Sequence, residues 1–435
     1  MRSKAQCVEE GEKNTKYFLN LEKRNYNTKH IKSLILQNGL SESNPDKILQ
    51  EQQKFYKTLY TSTVSPDSTT SDFTDSPDIT KLNKIEQEIC DADLTYEELG
   101  LALKYLPSNK TPGHDGLTTN FYKFFWPNIK DMLLESIKYS FHSGHLSLDQ
   151  SRGIINLIPK EGKDLRYLRN WRPLTILNTD YKILTKALAN RLQKVLPKLI
   201  NNDQVGYIKG RYIGENTRII NDVQISATVS KFPGYIVLVD FEKAFDSIEW
   251  AFLFKCLKAY NFGSNFINWI NVIYNNVLSC VGNNGFYSSY FKLTRGIRQG
   301  CPISALLFIL VVETLAIKIR QEKSLHGIKI NNIELKLCQL ADDTTLFLKD
   351  RNSIGKAFTI LKKFELNSGL KVNMEKSTIV PIGTSKYKKF AVPKECNKVP
   401  VIAKEFKTLG VWFSENLEEM TKLNFNSRIK LMEKL

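Results

Sequence analysis

The chain has 435 residues, 42% of them hydrophobic, enough for one large composite domain or two or three smaller ones. Its net charge of +17 calls for a polyanionic partner, and an aromatic content of 11% supplies rings on which bases can stack. No apolar run is long enough to span a membrane and no signal peptide is present, while the seven scattered cysteines include no C-x-x-C pair; an intracellular location, nuclear and cytoplasmic, is expected, with the cysteines as packing residues.

Residues 1–60 are polar with a helical tendency, and residues 61–78, rich in Ser, Thr, Asp and Pro, read as a linker. A helix with Glu97 and Glu98 in its first turn runs from Thr95 to Leu106, where Pro107 stops it. The turn-rich loop 111–116 precedes an aromatic helix carrying Phe121, Tyr122, Phe124, Phe125 and Trp126. Residues 154–158 form a short apolar strand, followed by the basic segment Lys160, Lys163, Arg166, Arg169 and Arg172. Residues 180–196 make an amphipathic helix whose basic face is Lys182, Lys186, Arg191 and Lys194. The apolar run 235–239 is a buried strand that ends abruptly in Asp240. Helices are expected over 250–260, 266–277, 302–319 and 354–366, and strands over 328–348, 371–380 and 406–413. Strands and helices without a βαβ rhythm point to an α+β fold.

Asp342 and Asp343 sit between the apolar runs 333–340 and 346–348, which reads as strand, tight turn, strand with two acids at the tip. Adjacent like charges repel, so stability alone does not favour the pair there. A hard divalent cation such as Mg²⁺ removes that repulsion by binding carboxylate oxygens. Asp240 at a second strand end supplies a third acid. Asp246-Ser247-Ile248-Glu249 reads as a capping box that opens the next helix, so Asp246 is assigned to structure.

In chain order the segments Ile158-Pro159-Lys160, Asn170-Trp171-Arg172-Pro173-Leu174, Asn202-Asp203-Gln204-Val205-Gly206-Tyr207, Asp240-Phe241-Glu242-Lys243-Ala244-Phe245-Asp246, Arg295-Gly296-Ile297-Arg298-Gln299-Gly300-Cys301-Pro302, Ala341-Asp342-Asp343, Gly369-Leu370-Lys371-Val372-Asn373 with Lys376, and Leu409-Gly410 closely resemble the reverse transcriptases of non-LTR (LINE-type) retrotransposons. The resemblance covers residues 111–413, and residues 10–20 look like the family's pre-polymerase region. It implies a right-hand polymerase: an N-terminal extension and linker over 1–94, fingers over 95–234, palm over 235–413 and the start of a thumb over 414–435.

The implied activity is RNA-directed DNA synthesis by two-metal phosphoryl transfer, with Mg²⁺ or Mn²⁺ as cofactor and an RNA template, a DNA primer and deoxynucleoside triphosphates as partners. Asp240, Asp342 and Asp343 are the implied catalytic acids, with the Phe241 carbonyl as a further metal ligand. Lys160 and Arg172 would clamp the triphosphate. Phe245 would lie beneath the sugar and exclude a 2′-hydroxyl. Gln299 would meet the nucleotide, Gly300 would let the backbone approach a base pair, and Lys376 would reach the leaving pyrophosphate. Lys163, Arg166 and Arg169 would line the template path, and Leu409-Gly410 the primer-holding hairpin.

The sequence departs from the family pattern at Leu340, where an aromatic often stands, and at Ala305, where proline is usual. An N-terminal endonuclease and a cysteine-rich C-terminal segment are expected to be missing from this piece. Two rival readings are an inactive, maturase-like RNA-binding domain and an RNA-copying RNA polymerase; the three acids argue against the first and Phe245 against the second.

Overall fold

The computed structural model describes residues 31–36, 38–64, 71–387, 390–402 and 404–432. The segment 10–20 therefore lies outside the described residues. Within the stretch expected to be helical, β1 (Leu34–Ile35) instead pairs antiparallel with β2 (Ser41–Glu42). Helix α1 (Pro45–Leu59) follows; the Asn44 side chain caps it and Pro45 stands in its first turn. It buries Ile48, Gln52 and Tyr56, one residue per turn along a single stripe. The expected linker is not all linker. Phe73 is buried edge-on against Phe364, and Gln321 bonds Ser76 and Asp78.

Capping boxes start α2 (Lys84–Asp91) and α3 (Tyr96–Tyr105), the second made by Thr95 and Glu98 as the acidic first turn foretold. Glu98 has a second task. It pairs at 2.5 Å with Arg191, which is buried on α5 (Thr179–Leu199) and also donates to the carbonyls of Cys90, Ala92 and Asp93. Arg191 is thus an internal tie between helices and leaves the expected basic face. Between these elements run α4 (Thr119–Ser143) and a five-stranded sheet, in the order β4-β3-β6-β7 with β8 also on β6. Its members are β3 (Arg152–Pro159), β4 (Trp171–Ile176), β6 (Leu278–Asn283), β7 (Phe286–Tyr287) and β8 (Phe291–Lys292). β3 pairs antiparallel with β4 and parallel with β6.

The second sheet has the order β11-β12-β5-β13 and is antiparallel throughout. It comprises β5 (Pro233–Val239), β11 (Leu337–Leu340), β12 (Asp343–Leu348) and β13 (Thr378–Gly383). Its central strand β5 reads as an unbroken apolar run over 235–239 because both faces of the sheet are covered. On one face Val237, Val239, Leu346, Leu348 and Ile379 join the main core. On the other, Ile236, Phe347, Val380 and Ile382 join a second core. The main core includes α8 (Trp250–Ala259), α10 (Ser304–Gln321) and α11 (Arg351–Ser368). The second is closed by α6 (Ile213–Val229) and the hairpin β14 (Phe406–Thr408) with β15 (Val411–Phe413). A small hairpin, β9 (Ile328–Ile330) with β10 (Ile333–Leu335), precedes β11. Helix α9 (Ser264–Tyr274) and a final helix α12 (Leu417–Met432) complete the order.

Two expected boundaries shift. α10 begins at Ser304, and Pro302 lies in the turn before it. Residues 371–376 are loop, with one bridge from Val372 to Phe241, before β13 begins. The described cysteines are all free and buried, as packing residues should be. Among the described residues no helix is long and apolar enough to cross a membrane.

Candidate active site

The acids meet through strand register. Thr344 pairs with Val239, so Asp343 begins β12 beside the point where β5 runs out into Asp240. Across the hairpin Leu340 pairs with Asp343, which leaves Ala341 and Asp342 as the two-residue turn. Ala341 takes a left-handed φ of 55°, which costs an L-residue roughly 1–2 kcal/mol. The cost is offset by Gln204, a residue to which sequence reasoning gave no role. Its fully buried Oε1 accepts from the Ala341 N–H at 2.9 Å and from Gly206 N at 2.8 Å. Its Nε2 reaches the Ala341 carbonyl at 3.4 Å. A Cβ on Gly206 would lie 2.5 Å from Ala341 N, so glycine is required for this approach. The next residue, Tyr207, is exposed and has a φ of 56° beside Asp342. Gln204 lies within the motif segment 202–207, but its role is invisible there because its partner Ala341 is 137 residues away.

The other side of Asp240 is closed by the loop before β13. The Ser377 hydroxyl accepts from Asp240 N at 3.1 Å, and Asn373 N donates to the Asp240 carbonyl at 2.7 Å. Burial raises the Asp240 carboxyl, while the Lys376 and Lys160 charges beside it pull the other way. Asp342 is raised by burial and by the charge of Asp240. Asp343 is exposed, yet partial desolvation and the charges of Asp342 and Asp240 push it up to about 6. Three carboxylates therefore share one repulsive field.

The first sheet supplies the cations. Lys160 follows β3, is lowered by burial and by the Lys376 and Arg172 charges, and feels Asp240 and Asp246 in the opposite direction. Its Nζ donates to the Arg169 carbonyl at 2.9 Å. Arg172 stands exposed on β4 opposite Ile158. Lys160 and Lys376 thus share the field of Asp240, and the Arg172 charge acts on Lys160. Lys243, also unassigned by sequence reasoning, joins them. It has a φ of 49°, donates to the Trp171 carbonyl at 3.0 Å, and is pushed down to about 8 by burial. Lys163, Arg166 and Arg169 lie in the loop between β3 and β4. Arg166 pairs with Asp164 at 2.8 Å and Arg169 sits over the Tyr167 ring.

The expected capping box is absent. Glu249 precedes α8 without a side-chain cap, and Asp246 lies inside the single turn α7 (Ala244–Ser247). Its fully buried carboxylate accepts from Tyr60 Oη at 2.7 Å and from Gln299 Nε2 at 3.1 and 3.2 Å. Burial pushes it up to about 6. Long-range partners override the local pattern. Gln299 accordingly has one end committed within the protein. Gly300, with a φ of 112°, approaches the Thr175 carbonyl, where a Cβ would sit at 2.4 Å; the close neighbour that demands glycine is protein backbone. Phe245 is half-buried and stacks on Phe308 at 4.4 Å and 14°. Phe241 is buried, its backbone bridged to Val372. Leu409 and Gly410, with φ of 52° and 77°, form the β14–β15 turn against the second core.

Carboxylate oxygens with a neighbouring backbone carbonyl suit a hard divalent cation, and their mutual repulsion is what such an ion relieves. As the side chains stand, no three His, Cys, Asp or Glu residues among the described ones close around a single ion. The strand ends converge; the carboxyl groups do not form a closed cage.

The family model described as reverse transcriptase (RNA-dependent DNA polymerase) matches residues 158–413. The transposon TX1 uncharacterized 149 kDa protein of Xenopus laevis is 31% identical over 415 residues, 95% of this chain and 31% of that protein. The Pol polyprotein from the type-2 retrotransposable element R2DM of Drosophila melanogaster is 26% identical over 344 residues, 77% of this chain and 31% of that protein. The chain thus spans about a third of the length of these relatives. A telomerase structure from Candida tropicalis overlaps 68% of this chain and 59% of its own at 15% identity and a TM-score of 0.43, too loose a likeness to argue from.

Proposed function

The chain belongs to the reverse transcriptase (RNA-dependent DNA polymerase) family, and from that premise we propose that it copies RNA into DNA by extending a primer 3′-hydroxyl, as part of retrotransposition. The observation that carries the reading is the meeting of Asp240 with Asp342 in the β11–β12 turn and Asp343 at the start of β12, within the field of Lys160 and Lys376. The family implies a divalent metal ion. Asp240, Asp342 and Asp343 would hold Mg²⁺ or Mn²⁺, with the Phe241 carbonyl as a further ligand. Two such ions would lower the pKa of the primer hydroxyl and neutralise charge on the leaving pyrophosphate.

The chain's own residues do the rest. Lys160 and Arg172 bind the triphosphate, Arg172 through its planar fork and Lys160 as a point charge. Lys376, held on the loop that closes the Asp240 strand end, gives a proton to the leaving pyrophosphate. Phe245, backed by Phe308, presents its remaining face to the sugar and excludes a 2′-hydroxyl. Gln299 contacts the incoming nucleotide, and Gly300 keeps that loop tight against β4. Lys163, Arg166 and Arg169 follow the template, and Leu409-Gly410 the primer. In this reading residues 1–94 are an N-terminal extension and linker, 95–234 fingers, 235–413 palm and 414–435 the start of a thumb, and the protein works inside the cell, in nucleus and cytoplasm.

The test is primer extension on an RNA template with Mg²⁺ and deoxynucleotides. Wild type should extend and Asp342→Asn should not, while both bind primer–template. That binding should weaken steeply with salt as condensed counterions are released. An inert wild type, or a fully active Asp342→Asn, overturns the reading.

A further inference from the structure

The bonds around Asp246 join three segments that are distant in sequence. Its carboxylate takes the Tyr60 hydroxyl at 2.7 Å on one side and the Gln299 amide on the other. The backbone follows the same path. The Tyr60 carbonyl accepts from Thr294 N at 2.9 Å and from Arg295 N at 3.2 Å, and Arg295 Nε donates to the Leu59 carbonyl at 2.8 Å. Gly296 N donates to the Ile248 carbonyl at 2.7 Å, and Ile297 N to the Phe245 carbonyl at 2.8 Å. A Cβ on Gly296 would lie 2.6 Å from the Asp246 carbonyl and 2.9 Å from the Tyr60 ring. The end of α1, the turn that carries Phe245, and the loop that carries Gln299 are therefore one bonded unit.

The chemistry of the pair fixes an orientation. An ionised carboxylate only accepts, so the Gln299 amide must offer it the NH₂ end. Both carboxylate oxygens are engaged by that one nitrogen, and Tyr60 holds one of them from behind. Gln299 is half-exposed, so the end pointing away from Asp246 is its carbonyl oxygen. An untethered glutamine would present either end and would lose rotamer freedom on binding.

We infer that Asp246, braced by Tyr60 at the end of α1, is a positioning residue that holds Gln299 with its amide oxygen turned toward the incoming deoxynucleoside triphosphate. The inference rests on the proposed polymerase reading and extends it in one respect. A residue nearly two hundred positions earlier sets how the nucleotide is received, without touching it. The nucleotide then meets an acceptor, suited to a sugar hydroxyl or a base N–H. Loss of the tether weakens nucleotide binding before it slows chemistry.

The experiment is steady-state extension at pH 8, reading KM and kcat for deoxynucleotide with wild type, Tyr60→Phe, Asp246→Asn, Gln299→Ala and the two doubles that contain Gln299→Ala. Asp246→Asn should raise KM by about 5- to 20-fold and Tyr60→Phe by about 2- to 5-fold, each with little change in kcat. Neither substitution should add to KM once Gln299 is alanine, because the tether then holds nothing. Melting temperatures are read alongside. Should Asp246→Asn fail to fold, Tyr60→Phe carries the test, since it removes one hydroxyl and keeps the ring. A Tyr60→Phe protein that melts lower yet keeps the wild-type KM overturns the inference, as does simple additivity with Gln299→Ala. Both of those results leave an active wild type, and so spare the polymerase reading. An inert wild type overturns the two together.

Discussion

Two groups of acids lie in this molecule, and they are treated in opposite ways. Asp203 and Glu313 are gathered around one guanidinium: Arg320 pairs with Asp203 at 2.6 Å and also binds Glu313. Glu313 is 1% exposed on the all-round apolar helix α10, where burial pushes it up to about 7. Asp240, Asp342 and Asp343 are instead placed side by side at strand ends, where none has a salt bridge within 4.0 Å among the described residues; Lys376 and Lys160 act on Asp240 only at longer range. The first arrangement supplies its own counter-charge and ends in architecture. The second leaves charge unmatched, and an unmatched charge held in place by folding is where a ligand must supply what the protein does not.

The comparison breaks most plainly at Asp342. Asp342→Asn should lower the extension rate on the order of 10³-fold or more, a loss of several kcal/mol of transition-state stabilisation. The same variant should melt higher than wild type without metal, because one repelling charge is gone. A lower melting temperature would mean that the acids are matched after all. The next largest effect belongs to the other group. Arg320→Met leaves Glu313 buried without its partner and should cost about 3–5 kcal/mol in urea unfolding, with the extension rate of the folded fraction nearly unchanged. Phe245 tests incomplete bonding of another kind, a ring stacked on one face only. Phe245→Ala should raise ribonucleotide relative to deoxynucleotide efficiency by roughly 10- to 100-fold, within the 1–3 kcal/mol that a pocket of this type discriminates. An unchanged ratio in an active variant returns the ring to the core and reopens the RNA-polymerase alternative.

The smallest effect is a pH dependence. The folded carboxyl of Asp343 lies at about 6, above its ordinary value of 3.8, so its protonated form suits the fold better than its charged form. Stability from this group is present below the ordinary value and is lost as pH rises through about 6. In metal-free buffer the melting temperature of Asp343→Asn should equal that of wild type near pH 4 and exceed it slightly at pH 7. Solvent screening at this exposed carboxyl keeps the gap small. A gap that opens on the acid side would reverse the assignment.

What the sequence disclosed follows from range. Asp240 and the Asp342-Asp343 turn are legible because strand, acid and turn are adjacent in the chain. The start of α3 is legible for the same reason, since Thr95 and Glu98 are three residues apart. The pairings of β12 and β13 with β5 and the parallel pairing of β3 with β6 join segments more than a hundred residues apart and leave no local mark. Asp246 shows local grammar misleading. Its capping pattern is real as a string, but Tyr60 and Gln299 supply stronger partners for a fully buried carboxylate. Arg191 was placed on a surface by helical periodicity, which knows the stripe a residue occupies but not that Glu98 waits on a neighbouring helix.

Helix α1 has a consequence for how the chain is made. Its partners come late: Tyr60 meets Asp246, Gln53 bonds Ser289 and Arg295 binds the Leu59 carbonyl, at separations of 186 and 236 residues. At ribosomal rates of about 5–20 residues per second, roughly ten to fifty seconds pass between the emergence of α1 and that of its docking surface. During that wait the stripe of Ile48, Tyr56 and Tyr60 lacks the later segments that bond this helix in the finished fold. The first helix among the described residues is thus made well before the segments that seat it.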